Sequence, residues 1–162
     1  MKTRAFLLLF LLLSFLVTAC EGTTPTVEAT STPDPCGPEN IKAEVEKIHR
    51  WMREFDDASV LAANTPREQL NPEIAALQAI RRSAEDQPAP VCLRDLKAYQ
   101  VNHMNTVIDT LISFIGGTAD QEMMNQGIAQ ARQQHDQYAL EMARLLGVTV
   151  VANTPPPETV TP

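Results

Sequence analysis

Positive charge and aromatic rings are both in short supply. Lys and Arg number 13 against 20 Asp and Glu, a formal charge of −7, and aromatic residues make up 5% of the 162 positions. A module that grips nucleic acid needs a basic face to displace counterions and rings on which bases stack, so that class is excluded. Glycine is limited to six residues, and no glycine-rich phosphate loop occurs. GxSxG, HExxH and CxxCH are absent too, which removes the familiar routes to an activated serine, a catalytic zinc or a covalently held haem. The chain is therefore expected not to be an enzyme, and its length allows one domain at most.

Much of the hydrophobic content sits in one block. Lys2 and Arg4 precede an uncharged apolar run of 13 residues that ends at Val17. A spanning helix needs roughly 20 apolar residues to cross about 30 Å of hydrocarbon, so the run has the length of a signal-peptide core. It ends in Val17-Thr18-Ala19-Cys20, which resembles the lipobox of bacterial lipoprotein precursors. The resemblance covers residues 1 to 20 and implies cleavage before Cys20, with a diacylglyceryl group on its sulfur and often an N-acyl chain such as palmitate. Each buried CH₂ adds about 0.8 kcal/mol, so several chains hold the protein firmly. The expected location is extracytoplasmic, lipid-anchored at a bacterial cell membrane.

The remainder divides by composition. Residues 1–19 form the leader and residues 20–35 a tether. From Glu21 to Pro35 the chain has six Ser or Thr and no Leu, Ile or aromatic residue, too little apolar surface to offset the entropy of ordering. Residues 151–162, with four prolines, read as a disordered tail. Residues 36–150 should hold the folded domain. Without Lys2 and Arg4, 11 bases face 20 acids, so direct adhesion to anionic lipid is not expected.

Within the domain the punctuation marks four helices. Pro38 suits the first turn of a helix whose stripe is Ile41, Val45, Ile48, Met52, Phe55 and Ser59. Thr65-Pro66-Arg67-Glu68 has the form of a capping box, followed by a main helix from Pro72 to about Gln87. A third segment from Val91 to Ile115 aligns Leu93, Leu96, Gln100, His103, Val107, Leu111 and Phe114, and Gly116-Gly117 stops it. A fourth, after Thr118, aligns Met124, Ile128, Ala131, His135, Ala139, Met142 and Leu146. Connections of a few residues make successive helices antiparallel neighbours, so the expected fold is all-α, an up-down-up-down four-helix bundle.

Three cysteines are odd for an exported protein until Cys20 is assigned to lipid, which leaves Cys36 and Cys92 as a pair. Cys36 precedes the first helix and Cys92 opens the third, and in this topology those ends lie on the same side. The acids, including Asp56-Asp57, read as a solvated face.

The three histidines are the remaining chemistry. His103 and His135 fall at the centres of their stripes and His49 at the edge of its own. His49 and His103 lie 13 and 11 residues beyond their cysteines, and His103 and His135 differ in height by roughly 6 Å at 1.5 Å per residue. One interior layer is implied. The expectation is structural: buried, neutral rings satisfied by Gln100, Tyr99, Tyr138 or a backbone carbonyl, with no metal and no cofactor. The alternative is a metal or haem carrier that uses His103 and His135, with His49 and Met52, Met104, Met124 or Met142 as further ligands. Trp51 could anchor a partner. The functional expectation is a non-catalytic envelope lipoprotein, a tethered helical binding or structural module with a protein partner in the envelope.

Overall fold

The structure is a computed structural model and describes residues 33–149. The leader, Cys20, most of the tether and the C-terminal tail lie outside those residues. The described part is an all-α, up-down-up-down bundle: α1 (Ile41–Ala63), α2 (Leu70–Asp86), α3 (Arg94–Gly116) and α4 (Gln121–Leu145). Single 3-10 turns, Arg67–Gln69 and Val91–Leu93, lead into α2 and α3.

The period of the apolar residues explains the first three helices. Val45, Ile48, Met52 and Phe55 on α1, Leu70, Ile74 and Leu77 on α2, and Leu96, Met104 and Ile108 on α3 are buried together. Each large side chain so buried contributes about 1.5 to 3 kcal/mol. α4 is preceded by Asp120, whose carboxylate accepts from the Met123 N–H at 2.8 Å, capping a free amide of the first turn. Gly117 adopts φ 67° after α3, a left-handed conformation that suits glycine. The Cys36–Cys92 disulfide joins the start of the domain to the turn before α3, with Cα atoms 5.9 Å apart.

Three local expectations are corrected. Pro38 lies in a turn, and α1 starts at Ile41, because the Asn40 and Ile41 amides both donate to the Gly37 carbonyl. Thr65 forms no capping box; its hydroxyl donates back to the Leu61 carbonyl at 2.9 Å and closes α1 instead. α4 is rotated from the expected stripe. Ala131 and Tyr138 are its buried residues, whereas Ile128 is 42% exposed and Leu146 is also exposed.

The rotation follows from how α4 docks. It packs mainly on α3 and meets α1 over only a short stretch. Gly127 lets it approach α3 closely, since a Cβ there would lie 2.3 Å from Thr110 Oγ1. Drawn toward α3 at that level, α4 leaves a gap on the side of α1.

Candidate functional site

The gap is a cavity of about 600 Å³ between α1, α3 and α4. Small residues on α1 make the room: Ser59, Ala62 and Ala63 face across to Gly127 and Ala131 of α4. Val107, Leu111 and Phe114 of α3, Met124 and Ile128 of α4, and Leu70 of α2 supply its apolar wall. His103 and His135 also line it. A volume of this size, mostly apolar with a few polar groups, matches pockets that hold small molecules.

The two imidazoles are brought together as their heights implied, with ring centroids 5.2 Å apart and planes at 67°. His103 is buried, and its Nδ1 lies 2.9 Å from the Ala131 carbonyl. A carbonyl only accepts, so Nδ1 carries the proton. Phe55 meets the same ring edge-on at 5.9 Å. Against expectation, His135 is only partly buried, with 42% of its side chain exposed, because the rotation of α4 turns it toward the cavity. Asp56 lies against both rings, Oδ1 3.8 Å from His103 Nε2 and Oδ2 3.4 Å from His135 Nε2. Sequence reasoning placed Asp56 on the solvated face; it is half-buried here.

His49 pairs with Tyr138, whose ring also lies 6.4 Å from that of His135. The His49 Nδ1 lies 3.1 Å from the Tyr138 hydroxyl, and the rings stack at 6.1 Å. Burial raises the Tyr138 pKa well above its ordinary value, so the phenol stays protonated and can donate to His49. Gln100 donates to the Ile48 carbonyl at 2.7 Å, pinning α3 to α1. Met52 and Met104 are buried among core side chains, and Met124 lines the cavity. Trp51 packs half-buried on the core with the Arg50 guanidinium 4.7 Å from its ring centre. Glu46 points outward and pairs with Arg53 at 2.6 Å.

No family model, curated protein or solved structure matches the chain. The site therefore rests on its own geometry. Among the described residues no three His, Cys, Asp or Glu side chains are arranged to hold a metal ion. The Asp56 carboxylate turns a different oxygen to each imidazole.

Burial depresses the His103 pKa below its ordinary 6.5, against an opposing pull from the bond to Ala131. Burial and the nearby Arg53 charge depress His49 in the same direction. The unfolded chain then binds protons more readily than the native one below about pH 6.5. Stability is complete above that value, declines as pH falls through the window down to the folded pKa, and levels off beneath it. One such proton gives a slope of at most about 1.4 kcal/mol per pH unit. His103→Asn keeps an amide donor near the Nδ1 position and removes the titration, so urea denaturation between about pH 7 and pH 5 should show a shallower loss. An unchanged slope would show that another group titrates.

Proposed function

We propose that this protein is a non-catalytic, lipid-anchored binding module of a bacterial envelope, whose bundle takes a small, largely apolar ligand into the cavity between α1, α3 and α4. The cavity is the observation that carries the binding role, because close-packed interiors leave few voids larger than a water molecule. The anchoring role is supported by the Lys2 and Arg4 start, the apolar run and the Val17-Thr18-Ala19-Cys20 junction. A thioether-linked lipid at Cys20 would hold the domain at the membrane surface, where apolar solutes concentrate. A metal or haem carrier through His103 and His135 has less support, since among the described residues no three His, Cys, Asp or Glu side chains are arranged to hold a metal ion.

One experiment with two arms tests the reading. In the bacterial host, the chain should partition into the detergent phase of a membrane extract, and Cys20→Ser should abolish processing and lipid attachment. In nanodiscs, the mature chain should bind butylbenzene at one equivalent above the background measured with Ser59→Trp, whose indole fills the cavity. Indistinguishable titrations of the two chains would remove the binding role; unchanged processing of Cys20→Ser would remove the anchor.

A further inference from the structure

The cavity is elongated and its two ends differ in charge, which narrows the chemistry of an occupant if the cavity is a binding site. Its α3 wall runs from His103 through Val107 and Leu111 to Phe114, and its α4 wall runs antiparallel from His135 back to Met124. Each wall covers 11 positions, so the lane between the ends is roughly 17 Å long at 1.5 Å per residue. At the histidine end Asp56 lies against both imidazoles. Asp136 and Arg132 line the α4 rim there, four residues apart on one helix face, and offset each other's charge. Arg67 stands at the Phe114 end, exposed at the mouth. Its guanidinium donates to the Ile115 carbonyl at 3.1 Å and lies 5.4 Å from the Phe114 ring centre, so its position is fixed while the fork keeps further N–H donors. Among the described residues Arg67 forms no ion pair.

We propose that the cavity binds a free single-chain amphiphile of the fatty-acid class, whose carboxylate pairs with the Arg67 guanidinium while its alkyl chain runs past Phe114, Leu111 and Val107 toward His103. A guanidinium meets a carboxylate through two parallel N–H···O bonds, and charge-assisted bonds of this kind are the stronger class. One cation suits a monoanion; a phosphate monoester carries about −1.5 to −2. A carboxylate head at the histidine end would meet Asp56 and Asp136, so the chain enters in one orientation. An all-trans alkyl chain advances about 1.25 Å per bond. Roughly 14 carbons therefore fill the lane, and much shorter chains leave part of the apolar wall uncovered. A cationic head of the same length meets Arg67 and is disfavoured.

The test compares tetradecanoate, tetradecanol, tetradecyl phosphate, tetradecyltrimethylammonium and octanoate by calorimetry on the lipidated chain in nanodiscs of neutral lipid, with Ser59→Trp as the cavity-filled background. Tetradecanoate should bind at one equivalent about tenfold more tightly than tetradecanol and at least as much more tightly than octanoate, and the trimethylammonium compound should bind least well of the tetradecyl series. Arg67→Met keeps an unbranched apolar side chain over Phe114. It should bring tetradecanoate down about tenfold, to the level of tetradecanol, and leave tetradecanol and butylbenzene unchanged, which also reports an intact cavity. Should that variant lose butylbenzene, Arg67→Lys replaces it, with a severalfold loss expected for tetradecanoate alone because the fork is gone. Equal binding of tetradecanoate and tetradecanol, tighter binding of the phosphate or the trimethylammonium compound, or sedimentation showing a second copy of the chain that closes the cavity against all five would overturn the proposal. Binding of butylbenzene without a preference for tetradecanoate removes only this assignment, whereas failure of butylbenzene removes the cavity reading with it.

Discussion

Replacing Cys36 and Cys92 together by serine should lower the free energy of unfolding by about 4 kcal/mol, measured by urea denaturation against the oxidised chain. The bridge spans 56 positions, so in the unfolded state it removes the freedom of a long loop that contains α1 and α2. The loop-closure relation gives the figure, less any strain in the folded chain. Most of the change should appear in the midpoint. The slope should rise as well, since a chain freed of its cross-link exposes more surface on unfolding. An effect below about 1 kcal/mol would mean that the reduced denatured state already holds these ends together.

Phe55→Ala should cost about 3 to 5 kcal/mol. Phe55 is fully buried on α1, joins the main core and rests edge-on against His103. Its loss removes apolar burial and leaves a void, and the bundle can collapse into that void only by moving the His103 ring that Ala131 holds in place. The variant should therefore also disturb the His103 and His135 imidazole resonances in NMR spectra. Phe55→Leu keeps most of the volume and should lose less than half as much. A small loss in the alanine variant would show that this layer is loosely packed.

The parts of the fold that repeat in sequence were readable from it. Val45, Ile48, Met52 and Phe55 recur at three and four residues, and a helix can bury them all on one side. The disulfide followed from parity and from the shared end of two helices, and the meeting of His103 with His135 followed from counting residues to the turn at Gly117. What failed depended on the spaces between helices. Nothing local to Ile128 or His135 says that α4 rolls toward α3 at Gly127, so their stripe reads as core in the sequence although Tyr138 is the large residue that enters it. Asp56 follows a core phenylalanine and lies about 100° around the helix from it. Whether that direction meets solvent or a neighbouring helix is set by α4, not by α1. The cavity is a difference between two packing distances, and the small residues Ser59, Ala62 and Ala63 that make room for it are unremarkable in a helical sequence.

The disulfide also decides how the domain bears mechanical load. Any pull applied through the chain that precedes the domain enters at Cys36, and the covalent link passes it directly to Cys92 and α3. Helices α1 and α2, held within the closed loop, lie off that line of force. The tension falls on α3 and its long seam with α4, the most extensive helix pair in the domain. Were the lipid anchor proposed at Cys20 to drag on the domain while its far end is held, the half of the bundle that carries His103 and His135 would be sheared, and the α1 wall of the cavity would bear little of the strain.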